Sequence, residues 1–80
     1  MTRQEKFSKA RKSLQLLFPL NLSFEVNYKS DYYLTEIFVG DAIISVGAYH
    51  DSNKSLDIND RYLESMLIAI ANYDPSLIPE

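Results

Sequence analysis

The single histidine of this chain, His50, stands beside Asp51, and the two are the nearest the sequence comes to a general base backed by a carboxylate. A hydrolase would need a partner nucleophile or further metal ligands. With one histidine and no cysteine in 80 residues, the sequence shows neither. Gly40 and Gly47, the only two glycines, are too few for a phosphate-cradling loop and fall where a hairpin and a strand explain them. Asp57, Asp60 and Glu64 could in principle do acid–base work, but they gather where a helix start favours negative charge, and capping accounts for them. No catalytic residue and no cofactor is expected, so the chain reads as a non-enzyme.

One segment imitates a metal site. Asp51, Asn53, Ser55, Asp57 and Asn59 fall at alternate positions of an EF-hand-like calcium loop, with Ile58 where an apolar residue belongs. The match then fails: Leu56 replaces the glycine of the sharp turn, and Tyr62 replaces the bidentate glutamate. A polar loop leading into a capped helix explains the same residues, and no metal is expected there.

The elements that would position these groups follow from periodicity. Thr2 and Glu5 have capping-box spacing, and Phe7, Ala10, Leu14 and Leu17 recur at helical steps, which predicts a helix from about residue 3 to 17, ended by Phe18-Pro19. From Leu20 to Lys29 the chain alternates strictly, with Leu20, Leu22, Phe24, Val26 and Tyr28 on the apolar side. Ser30-Asp31 and Gly40-Asp41 then read as two-residue turns into strands Tyr32–Val39 and Ala42–Tyr49. A second helix begins near Asp57 to Asp60, with Leu63, Met66, Leu67 and Ile70 as its buried stripe, and Asp74-Pro75 closes it.

A two-residue turn fixes which residues oppose each other. Around the first turn Tyr28 faces Tyr33, Val26 faces Thr35, Phe24 faces Ile37 and Leu22 faces Val39. Around the second, Ile37 faces Ile44 and Thr35 faces Val46. Both hairpins turn the same side inward. The expected fold is therefore α+β, a helix, a three-stranded antiparallel meander and a helix (αβββα), in one domain over 1–80, with the helices mainly on one face of the sheet.

That register leaves a second sheet face. The first strand gives it Asn21, Ser23, Glu25, Asn27 and Lys29, an ordinary wet surface; the other two give Tyr32, Leu34, Phe38, Ile43, Ser45, Gly47 and Tyr49, with Glu36 the lone charge. A helix crossing this face would make those residues core. Left uncovered, they form the kind of apolar, aromatic-rich patch that marks an interface. Tyr32, Leu34, Phe38, Ile43 and Tyr49 are its candidate protein-binding residues, and the third strand, with no charge from Ala42 to Tyr49, is an edge open to pairing.

Charge offers two further surfaces. Residues 1–12 carry five basic side chains against Glu5, while the remainder carries three against ten acidic ones, for a total of −3. Lys6, Lys9 and Lys12 make a basic helix face, suited to an acidic partner or a nucleic-acid backbone; Asp57, Asp60 and Glu64, with Asp51 and Asp74, make an acidic face suited to a basic protein. The element order is similar to that of double-stranded RNA-binding domains. Those open their second helix with lysines, whereas here the stretch is Asp57, Ile58, Asn59, Asp60, Arg61, followed by Glu64, and the sign is inverted.

No signal peptide is expected, because the basic start leads only into the short run Leu14 to Leu20, interrupted by Gln15 and Pro19. No stretch approaches the roughly 18 apolar residues of a membrane span. The lack of cysteine removes disulfide and thiolate chemistry and fits a reducing cytoplasm. Together these features predict a small cytoplasmic module that acts by protein–protein contact, as an inhibitor or accessory protein does; phage-encoded inhibitors of bacterial nucleases or defence complexes are of this kind. A homodimer through the second and third strands belongs to the same expectation. The alternative is a nucleic-acid binder using the basic first helix, and no membrane or small-molecule partner is expected.

Overall fold

In the computed structural model, which describes residues 1–52 and 54–80, the elements run α1 (Arg3–Leu17), β1 (Leu22–Tyr28), β2 (Tyr32–Val39), β3 (Ala42–His50), α2 (Ile58–Tyr73) and a 3-10 turn (Pro75–Leu77). The strands form one antiparallel sheet in the order β1-β2-β3. Local chemistry sets the ends. The Thr2 hydroxyl accepts from the Glu5 amide while the Glu5 carboxylate takes the Thr2 amide, closing the capping box of α1. Asp57 caps α2 by accepting from the Asp60 amide, and Asp74 accepts from Ser76 to begin the 3-10 turn.

Both helices lie on one face of the sheet. Phe7, Ala10 and Leu14 of α1 meet Ile37 of the sheet and Leu63, Leu67, Ala69 and Ile70 of α2 in one buried cluster. Phe7 and Phe24 pack edge to face with centroids 5.8 Å apart, which sets α1 over β1, while α2 runs across β2 and β3. Two hydroxyls sit in this core: Thr35 and Ser65, both fully buried, share a 2.8 Å hydrogen bond, and Ser65 also donates to the Tyr62 carbonyl. Each buried polar atom thereby has its partner.

The β1–β2 register is the expected one, from Tyr28↔Tyr33 to Leu22↔Val39. The β2–β3 register is not. Val39↔Ala42 and Phe38↔Ile43 pair outward from the turn, then a bulge inserts Ile44, and beyond it Ile37 faces Ser45, Thr35 faces Gly47 and Tyr33 faces Tyr49. One extra residue exchanges the two faces of the strand. Ser45, Gly47 and Tyr49, expected on the second face, lie on the helix side, and Val46, expected inward, faces out and is 44% exposed.

Helix α2 explains the exchange. A methyl group on Gly47 would collide with the backbone of Ala69, coming within 2.6 Å of its Cα, so the helix crosses where the strand has no side chain. Ser45 donates to the Ala69 carbonyl at 2.6 Å, and Asn72 donates to the Val46 carbonyl at 2.9 Å. Ile44 and Ile43 would otherwise sit on opposite sides of a regular strand; with the bulge Ile44 still packs on the core, and Ile43 stays out at 50% exposure.

The start of the sheet needs a second correction. Leu20, expected on the apolar side of the first strand, is 75% exposed, because Asn21 takes a left-handed backbone (φ 66°) and breaks the alternation before Leu22. The Asn21 carbonyl then accepts from the amide of Gly40, whose own φ of 62° fits the expected hairpin turn.

Candidate protein-binding surface

Among the described residues, no element covers the sheet face opposite the helices. Cross-strand pairing arranges it in rows: Ser23, Phe38 and Ile43; then Glu25, Glu36 and Val46; then Asn27, Leu34 and Ala48; and at the hairpin end Tyr32 and His50. Tyr32 and His50 are stacked, with centroids 4.9 Å apart and planes 26° from parallel. Of the residues expected here, Tyr32, Leu34, Phe38 and Ile43 are in place, and all four are partly or well exposed.

Tyr49 is not on this face. It pairs with buried Tyr33 on the helix side, and its phenol is held above the usual tyrosine value, first by burial and then by the charges of Asp51 and Glu64. Val46, Ala48 and His50 stand in its place. Gly47 carried the sequence signal that could have found them, since a glycine inside a strand often marks a bulge or a close backbone approach.

The bulge also bears on the edge strand. β3 is at the edge of the sheet as expected, but it is not a flat template: the kink at Ile44 twists it, and α2 holds its middle through Ser45, Gly47 and Asn72.

The acidic set is largely used within the fold. Arg3 of α1 reaches α2, donating to the Glu64 carboxylate at 2.8 Å and lying 3.7 Å from Asp60; the hydrogen bond to Glu64 is the main reason its guanidinium is held above its ordinary value. Asp57 is spent as the α2 cap. An acidic face built from Asp57, Asp60 and Glu64 is thus part helix cap and part interhelical ion pair, a sequence separation of 61 having hidden the arginine.

Asp51 closes the loop before α2. Its carboxylate accepts the amides of Leu56 (2.9 Å) and Ser55 (3.0 Å), and Arg61 lies 3.6 Å away while donating to the Leu56 carbonyl. The Leu56 amide is the largest influence holding Asp51 below the ordinary carboxylate range, and burial opposes it. Of the calcium-like set, Asn53 lies outside the described residues, and among those described no group of three or more metal-ligating side chains gathers. A groove of about 310 Å³ opens beside this loop, between Tyr28, Tyr33, Asp51 and Arg61.

On α1, Lys9 and Lys12 are exposed and Lys6 is half-buried, and none of the three forms an ion pair among the described residues. Arg11 instead covers the ring of Phe24, its guanidinium carbon 5.7 Å from the centroid. The far end of this helix carries a second apolar patch, Leu16 at 84%, Leu17 at 53% and Leu20 at 75% exposure. No helix among the described residues is long and apolar enough to cross a membrane. No family model matches the chain, and comparison with curated proteins and with solved structures found no match.

Proposed function

We propose that this protein is a non-enzymatic binding module whose open sheet face docks on another protein. The observation that carries the reading is the apolar set Phe38, Ile43, Val46, Leu34 and Ala48, held on hydrogen-bonded strands with none of the described helices above it. Folding does not need these side chains to be apolar, since both helices pack on the other side, and an uncovered contiguous apolar face on a soluble chain is an interaction surface. The mode of action that suits such a face is steric: a preorganised surface laid on a partner to block or hold it, as an inhibitor or accessory protein does.

The test is charge insertion. Ile43→Asp and Phe38→Glu should abolish capture of the partner from the cells that make this protein while leaving the circular dichroism spectrum unchanged. Leu16→Asp, at the helix end, should leave capture intact. A partner retained by both sheet variants sinks the reading.

A nucleic-acid reading has one observation in its favour, the absence of carboxylate partners for Lys6, Lys9 and Lys12 among the described residues. It predicts a gel shift that weakens steeply between low and physiological salt and is lost when Lys6, Lys9, Arg11 and Lys12 are replaced. Partner capture that depends on Ile43 and no shift at either salt concentration separates the two.

A further inference from the structure

The proposed function leaves open what kind of surface docks, and two carboxylates answer that question. Glu25 and Glu36 are directly opposed across β1 and β2, both on the open face. Like charges in that position destabilise a sheet. Glu36 is only partly exposed, with Leu34 and Phe38 on either side along β2 and Val46 across on β3. No cation among the described residues pairs with either carboxylate; the one polar contact is a 3.5 Å approach of the Asn27 amide to Glu25. On the proposed function, we infer that the occupant of this face is a different protein presenting a basic residue, arginine above all, among apolar side chains.

Size forces the carboxylates into the interface. The apolar part spans two strands and about seven residues, roughly 200 Å² in projection from a strand spacing of about 4.8 Å and a rise of about 3.3 Å per residue. Stable, specific interfaces bury about 800 Å² per partner. The apolar part alone falls short of this, and Glu36 lies inside it, between Leu34 and Phe38 and across from Val46, so a surface laid on these rows covers Glu36 and, where it spreads over β1, Glu25. Burying two adjacent carboxylates without a cation is strongly unfavourable, whereas a guanidinium meets them with two parallel donors and its charge.

The same pair argues against a second copy. A two-fold stack of open faces brings Glu36 of each copy against the other's carboxylates or against its apolar rows. Lys29, a cation beside this face, follows β1 at the hairpin end, its amide bonded to the Tyr32 carbonyl, away from the Glu25–Glu36 row. The pair therefore keeps copies apart and selects for a basic partner.

Displayed random peptides selected on the wild-type protein, and counter-selected on Ile43→Asp protein, provide the probe. The peptides recovered should carry arginine or lysine within an apolar run, and each should lose at least roughly tenfold in affinity for the Glu25→Gln/Glu36→Gln variant. Glu36→Lys protein should select acidic peptides in their place. Binders that lack a basic residue, or that bind the double glutamine variant unchanged, overturn the inference and leave the proposed function standing. If no peptide distinguishes wild type from Ile43→Asp, the proposed function itself fails. Light scattering checks the second copy: wild type should stay monomeric while Glu25→Gln/Glu36→Gln self-associates. A wild-type dimer abolished by Ile43→Asp overturns the inference in favour of self-pairing.

Discussion

The two faces of the sheet are built from similar residues and do different work. On the helix side, Ile37 is fully buried, the Thr35 and Ser65 hydroxyls satisfy each other, and Gly47 is bare so that α2 can approach. On the open side, Phe38, Ile43 and Val46 are as apolar as anything in the core, yet they remain partly or half exposed around a pair of carboxylates that no cation among the described residues meets. Apolar character alone therefore does not identify a core position. What separates the faces is complementarity: on one side the buried Thr35 and Ser65 hydroxyls find each other within the chain, and on the other no cation among the described residues meets Glu25 or Glu36.

The contrast is sharpest between two isoleucines near the same hairpin. Ile37→Ala removes packing from the centre of the core and should destabilise the fold by about 3 kcal/mol. Ile43→Ala, on the open face, should cost under about 1 kcal/mol. Urea denaturation of both variants checks the difference, and equal losses would mean that the open face is structurally covered.

Gly47→Ala comes next in size. The added methyl meets the Ala69 backbone, which a rotamer change cannot relieve, so α2 must shift; a loss of about 2 kcal/mol is expected in the same denaturation experiment. A neutral result would break the account of why β3 bulges.

That bulge marks the limit of what could be read in the sequence. The β1–β2 hairpin was legible because a short turn and strict alternation are local features, and Tyr28↔Tyr33 through Leu22↔Val39 pair as they require. Both helix caps were legible for the same reason. The β3 register was not, because the inserted Ile44 is decided by where α2 crosses Gly47, a contact between residues 22 positions apart in the chain. As a result the residues of the open face were read correctly on β2 and wrongly at Tyr49, with Val46 and Ala48 missed. The Arg3–Glu64 pair, which draws the acidic set into the fold, was hidden by its still longer separation.

The smallest effect separates the faces by pH. The Asp51 carboxyl, on the side of the fold where polar groups are satisfied, is held below its ordinary value of 3.8, so its contribution is fully present above that value and fades as pH falls through the lower folded value. Asp51→Asn should flatten that part of the acid limb of a stability–pH curve measured by thermal melts. An unchanged limb would mean that the Leu56 and Ser55 amides do not hold this carboxylate.

The central claim is that the open sheet face docks on another protein, and hydroxyl-radical footprinting of the protein alone and with its captured partner tests it most directly. Tyr32, Phe38, Ile43 and Val46 should lose reactivity on binding while Leu16, Leu17 and Leu20 keep theirs. Protection of the helix-end leucines, with the sheet residues as reactive as before, would contradict it.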